Sequence, residues 1–424
     1  MKLQTAKGVR DFGPELKIVR NEIVGTLTTI FELYGFSPLE TPILERLDVL
    51  AAKYAGGAEI LKETFKLKDQ GDRDLALRYD LTVPMCRFVG MNPNLKMPFK
   101  RYQIGTVFRD GPMKLGRYRE FWQCDVDIVG CKDMTADAEI LCLSLDVFKR
   151  LQLDVIIKVN SRKILDALLR YAGISQDKLE TVILSIDKLE KYGIEIVQKE
   201  LEEKRIAQEA IKKIFEILLL KGSTLEKIEQ LSGLLADAEG AQGLEELKDL
   251  FSFVKAENVI FDVSLARGLS YYTGTVFEVF TKKGEITSAL AGGGRYDKMI
   301  SSFLNTKQEY PAVGISFGLD VLTDILQQKQ AKKTVTKLYI IPINTFNESL
   351  AFAETCRNAG IPTEIDLMSR GPSKNLQYAN SKNIPYVAFI GEEEIAQQKI
   401  KLRDMNSGKE ELLTIDLALK LLTT

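Results

Sequence analysis

Apolar residues recur along this chain with two different periods. In residues 15–34, Leu16, Val19, Ile23, Leu27, Ile30 and Tyr34 fall at steps of three and four, which puts them on one face of a helix. Gly35 supplies the stop. Pro38 and Pro42 then make 35–45 extended, because each pushes the preceding residue out of the helical region. Residues 99–109 and 119–129 predict two antiparallel strands joined by a Gly/Pro/Lys-rich loop at 110–117. In the second strand, period two puts Glu120, Trp122, Cys124, Val126 and Ile128 on one face. The other face carries Arg119, Phe121, Gln123, Asp125 and Asp127, and suits either a solvated surface or the floor of a cleft.

Residues 173–255 are rich in Leu, Glu, Lys and Ala, contain no proline and keep helical spacing, so they predict a helical insertion. Strand-like segments return at 258–265, 275–280, 288–297 and 311–322. A polar, basic linker covers 327–336. After it come strand 338–343, helix 347–358, strand 362–367, helix 373–382, strands 385–390 and 399–403, and helix 414–422. That alternation predicts a small α/β domain.

With 424 residues, two or three domains are expected. Apolar content of 45% and charged content of 28% are ordinary for a soluble globular protein, and no run is long enough to span a membrane. A net charge of −1 leaves any nucleic-acid partner to a local basic patch. The five cysteines form no C-x-x-C pair, as expected of free thiols in a cytoplasmic protein. Histidine is absent. That excludes Ser-His and Cys-His nucleophiles and H-E-x-x-H metal sites. Catalysis must run on carboxylates, fixed cations, backbone dipoles or a bound metal, with no protein-only metal site expected.

The densest binding chemistry lies in RGLSYYTG, 267–274: a permanent planar cation followed by two tyrosines. Together with LALRYDLTVP (75–84), GFSPLETPILE (35–45), FRDGPMKLGRYREFWQCDVDIVG (108–130) and AGGGRYD (291–297), it resembles the class II aminoacyl-tRNA synthetases, and among them the histidyl-tRNA synthetase family. The resemblance implies an α+β catalytic domain, 1–326, with a six- to seven-stranded antiparallel sheet flanked by helices and interrupted by the helical insertion 173–255. It also implies a C-terminal α/β anticodon-binding domain, 337–424, and a cytoplasmic homodimer. The implied reaction joins histidine and ATP, with Mg²⁺, to histidyl-adenylate and then charges tRNA-His.

The resemblance also assigns residues. Arg109 and Arg267 are implied as the catalytic cations at the α-phosphate. Asp80, Thr82 and Gln123 are implied acceptors for the histidine ammonium. Asp127 and Tyr272 would read the two ring nitrogens, with Tyr271, Gly292, Gly293 and Gly294 closing the pocket. Arg109, Asp110, Arg117 and Gly318 are implied at ATP. In the C-terminal domain Arg370, Lys374, Asn375, Gln377 and Tyr378 are candidates for reading single-stranded RNA bases, a solvated helix face being the alternative.

Three departures stand out. Gly111 replaces a glutamate common two residues after the motif 2 arginine. Ser270 replaces a commoner aspartate. Val321 replaces the arginine that usually ends G-[LIV]-[DE]-R in motif 3, which leaves two alternatives: Arg117 or Arg119 supplies that charge, or ATP use is weakened. Val321 keeps open a second reading, a histidine- or tRNA-sensing paralogue resembling the regulatory subunit of ATP phosphoribosyltransferase. For a histidine-charging enzyme, a histidine-free chain suggests a further expectation: it can be made during histidine starvation. Translation in histidine-depleted extract no better than that of a histidine-containing control would remove that idea.

Overall fold

The computed structural model describes residues 3–51, 61–112, 118–235, 237–268, 271–282, 288–327 and 332–423. The chain forms two compact units, one of Met1–Arg10 with Ile23–Ile325, the other of Asp11–Glu22 with Leu326–Thr424.

In the larger unit the strands are β1 (Ser37–Pro38), β2 (Leu44–Arg46), β3 (Lys66–Lys68), β4 (Asp74–Leu77), β5 (Phe99–Phe108), β6 (Glu120–Val129), β7 (Val155–Ser161), β8 (Val259–Phe261), β9 (Thr275–Thr281), β10 (Ala291–Arg295) and β11 (Ala312–Gly318). Eight of them make one sheet in the order β1-β5-β6-β11-β10-β9-β7-β8, while β2, β4 and β3 form a small separate sheet. The six inner strands of the large sheet pair antiparallel, as the family resemblance implies. The two outermost, β1 and β8, add parallel pairings that make the sheet mixed.

Period two sorts the two faces of this sheet. Cys124, Val126 and Ile128 of β6 are buried on its apolar face. There Phe317 of β11 meets Phe31 and Phe148, each with ring centres 5.7 Å away. Those two rings come from the helices Pro14–Leu33 and Met134–Arg150. The opposite face carries the polar side chains of β6. The helices between Leu179 and Phe253 connect β7 to β8 within the same unit. The segment 311–322, read as strand-like throughout, turns from β11 into the helix Leu319–Leu326 after Gly318.

The smaller unit contains β12 (Leu338–Pro342), β13 (Thr363–Ile365), β14 (Tyr386–Ile390), β15 (Lys399–Asp404) and β16 (Glu410–Thr414), in the order β13-β12-β14-β15-β16. Alternate residues of β12 enter opposite cores. Leu338 and Ile340 pack with Phe352, Cys356 and Leu422. Tyr339 and Ile341 pack with Ala379, Ile384 and Val387. This sheet is therefore apolar on both faces. Two elements were not foreseen: β16, whose sequence EELLT is exposed at every other residue, and the short helix Glu392–Ala396.

Candidate active site

The polar face of the large sheet floors a cavity of about 890 Å³. Strand register explains how its wall is assembled. Gln103, Asp125, Ser316, Gly292, Glu278 and Lys158 stand opposite one another across successive strands. Directly opposed residues share a face, so this rung carries its side chains toward one side of the sheet. The next rung is Arg101, Asp127, Gly314 and Gly294.

Glycine at two of these positions is a matter of room. A Cβ on Gly292 would lie 1.8 Å from Nη1 of Arg267, and one on Gly314 would lie 2.0 Å from Oδ1 of Asp127. Any larger residue would collide with a charged group that the floor accommodates.

Arg109 and Arg267 both line the cavity. The Arg109 guanidinium lies 4.2 Å from the centre of the Tyr79 ring and 5.0 Å from that of Phe121, and its Nε donates to the Tyr79 carbonyl at 3.3 Å. Arg267 rests 5.5 Å from the Tyr272 ring centre. Its Nη1 donates to the Phe277 carbonyl at 3.3 Å and stands 3.3 Å from Oε1 of Glu278. Burial works against the Arg267 charge, but Tyr272 and the Glu278 carboxylate more than offset it and raise its basicity above the ordinary arginine value.

Asp80, Thr82, Gln123, Asp127, Tyr271, Tyr272, Gly292, Gly293 and Gly318 line the same cavity. Asp80 also accepts from the backbone N–H of Val83 at 2.9 Å, at the start of the helix Thr82–Met91. Pro84 sits in the first turn of that helix, where its missing N–H breaks no bond. Gln123 donates to Ser316 Oγ at 2.9 Å, and its Oε1 meets no donor among the described residues. The Tyr271 and Tyr272 rings lie 4.6 Å apart.

Asp127 is more engaged than its expected role requires. Arg101 Nη2 stands 2.6 Å from Oδ2, and the Tyr296 hydroxyl donates to Oδ1. Sequence reasoning missed Arg101, Tyr296, Asp125 and Glu278. Tyr296 lay inside AGGGRYD, Glu278 in the strand-like segment 275–280, and Asp125 on the polar face of β6. Arg101 gave no signal, because a wholly buried arginine is rare.

Three carboxyls, those of Asp80, Asp125 and Asp127, are buried here, and burial raises all three above the usual carboxylate range. Asp125 is pushed up to about 7, since burial and the neighbouring Asp127 outweigh the help of Arg101.

The departures resolve differently. The place of a side chain at Gly111 is taken by Glu63, whose Oε1 lies 2.8 Å from where a Cβ would be. The Glu63 carboxylate also accepts from the Tyr79 hydroxyl at 3.1 Å. Asp110 is bound to Arg119 Nη2 at 2.9 Å, and neither residue lines the cavity. Asp110, expected at the nucleotide, and Arg119, a candidate for the motif 3 charge, are thus paired with each other in this structure. Arg117 and Ser270 lie outside the described residues. Val321 lines the cavity, and the adjacent Asp320 binds Arg10 at 2.8 Å. Lys191 and Lys282 are the further cations along the wall among the described residues.

In the smaller unit, Arg370 and Lys374 border a surface depression beside the exposed Leu367 and Met368. Asn375 is wholly buried. It donates to Asp366 at 3.0 Å and to the Arg370 carbonyl at 2.8 Å, and accepts from the Tyr339 hydroxyl at 2.9 Å. It braces a loop, and its expected place among base-reading side chains is corrected. The Tyr378 hydroxyl donates to Glu364 at 2.7 Å, and its ring lies 4.5 Å from the Arg370 guanidinium.

Comparison with known proteins gives the same frame. Residues 8–322 match the family model described as histidyl-tRNA synthetase, and residues 337–424 match one described as an anticodon binding domain. Histidine–tRNA ligase 1 of Bacillus thuringiensis subsp. konkukian (strain 97-27) is 45% identical, covering 97% of each chain. Histidine–tRNA ligase of Bacteroides fragilis (strain YCH46) is 40% identical over 97% of this chain and 96% of its own. The crystal structure of histidyl-tRNA synthetase from Nostoc sp. PCC 7120 aligns with a TM-score of 0.87 at 30% identity, covering 99% of each chain. An ATP phosphoribosyltransferase regulatory subunit/histidyl-tRNA synthetase from Bacillus halodurans C shares the fold, with a TM-score of 0.76 at 23% identity over 92% of this chain and 98% of its own.

Proposed function

The chain belongs to the histidyl-tRNA synthetase family, and from that premise we propose that it activates histidine with ATP and transfers the product to tRNA-His. In the first step a histidine carboxylate oxygen forms a bond to the α-phosphorus while the bond to pyrophosphate breaks. Both reactants are anionic, so fixed cations beside the α-phosphoryl oxygens are the main requirement. The observation that carries the reading is the presence of Arg109 and Arg267 on the wall of one cavity that also holds Asp80, Thr82 and Gln123. The two arginines take the α-phosphoryl charge. The three acceptors take the histidine ammonium. Asp127, oriented by Arg101 and Tyr296, and Tyr272 read the ring, which presents one donor and one acceptor when neutral.

Mg²⁺ would come to the cavity as the counter-ion of ATP and would supply charge screening for the departing pyrophosphate. Lys191, and Lys282 on release from Asp154 at 3.2 Å, are the wall cations for the distal phosphates where Val321 brings none. The unit ending at Thr424 takes the anticodon stem, with Arg370 and Lys374 at its depression and the Tyr378 ring against Arg370. A cytoplasmic homodimer completes the proposal, supported by the family and by the exposed Leu33, Leu44 and Met91.

Purified protein should exchange pyrophosphate into ATP only when histidine is supplied. Val321 favours one competing reading, a histidine sensor without activation chemistry. Histidine binding with no exchange would establish that reading and remove the first.

A further inference from the structure

We propose that Glu278 is a positioning residue for Arg267, holding its guanidinium in register with the reacting phosphoryl group. The inference rests on the functional reading above.

Arg267 lies on a loop, and an arginine side chain turns freely unless something fixes its head group. Three features fix this one. The missing side chain of Gly292 opens a recess that Nη1 fills, with only 1.8 Å to the place of a Cβ. The Phe277 carbonyl accepts from that same nitrogen. The Glu278 carboxylate then stands 3.3 Å from it. Glu278 is opposite Gly292 in the strand register, so the carboxylate and the recess lie side by side on the sheet.

The remaining charges leave Glu278 to this task. Its other cross-strand neighbour, Lys158, is held by Glu190 at 2.6 Å and Asp262 at 3.3 Å. Asp187, also on the cavity wall, adds negative potential around Arg267. Glu278 is largely buried, and burial raises its carboxyl above the ordinary value while Arg267 opposes that shift. A carboxylate so placed needs its cation, and the pairing at Nη1 leaves Nη2 for the substrate.

A mere scaffold ion pair would affect stability and leave the chemical step alone. A positioning pair acts on kcat and through Arg267 only. The test uses full-length E278A, E278Q, R267A and the double variant in histidine-dependent ATP–pyrophosphate exchange. E278A should lower kcat roughly 100-fold, as expected for a misplaced reacting group, with the histidine KM within about threefold. Adding E278A to R267A should slow exchange by no more than about twofold, because the two act as one unit. Should E278A fail to fold, E278Q keeps the shape, loses the charge and carries the same expectations. A full rate in these variants, a loss confined to KM, or losses that multiply in the double variant would each overturn the proposal. Wild-type protein without any exchange would overturn the functional reading itself, and this proposal with it.

Discussion

The two large sheets of this protein are built from similar alternating strands and end in opposite arrangements. In the smaller unit both faces of β12 are apolar and both are covered, so its polar chemistry is confined to turns such as the Asp366–Arg370–Asn375 cluster. In the larger unit one face of β6 is apolar, while the other carries Gln123, Asp125 and Asp127 along a cavity. A sheet covered on both faces offers a partner only its rim. A sheet with one polar face can surround a small charged ligand, at the cost of burying charge. Arg101, wholly buried beside Asp127, shows how that cost is met.

If this contrast is real, the largest effects belong to the cavity. R267A and R109A should each reduce histidine-dependent exchange roughly 10²- to 10³-fold, about 3–4 kcal/mol of transition-state stabilisation. Histidine affinity, measured by calorimetry, should change little. G292A should approach R267A in rate loss, because its methyl group would occupy the place of the guanidinium. An unchanged rate in G292A would break the claim that the glycine floor exists for Arg267.

The next effect concerns pH. The Asp125 carboxyl sits at about 7 when folded, against an ordinary value of 3.8. Between those values the folded state binds the extra proton, so stability due to this group falls as pH rises and the full penalty is reached above 7. D125N removes that dependence. Relative to wild type it should gain about 2 kcal/mol in urea unfolding on going from pH 5.5 to pH 8.0. A difference that does not vary with pH would place the Asp125 carboxyl outside the buried cluster's electrostatics.

In the smaller unit the effects should be structural first. N375A strips partners from Asp366 and Tyr339 and should lower the stability of that unit by roughly 1–2 kcal/mol, while exchange in the intact protein stays at the wild-type rate. Smallest of all, K374A should leave both stability and exchange unchanged and raise the KM for tRNA roughly two- to fivefold, as expected on losing one phosphate contact. Loss of exchange in either variant would erase the division of labour between the units.

The contrast also explains what the sequence disclosed. Period two in β6 separated Gln123, Asp125 and Asp127 from Cys124, Val126 and Ile128, because a face that is apolar at four of its five positions is built for packing. The same logic could not find Glu278 or Arg101. Their roles depend on which strands lie beside β9 and β6, and register between distant strands leaves no trace in local pattern. Gly292 was expected only to close the pocket and Gly314 drew no notice, since the room each provides is set by side chains that arrive from elsewhere in the fold. Asn375 was misread for a related reason. A polar residue after a Gly/Pro turn looks exposed until its burial against Asp366 and Tyr339 is known. β16 escaped notice because its sequence EELLT does not alternate apolar with polar residues, although its exposure does.

The most direct measurement is a structure of the protein with a non-hydrolysable histidyl-adenylate analogue in the cavity. Guanidinium nitrogens of Arg109 and Arg267 should both lie within hydrogen-bonding distance of the group replacing the α-phosphate, with the imidazole between Asp127 and Tyr272. Either arginine turned away from that group and occupied solely by its present partners would contradict the account.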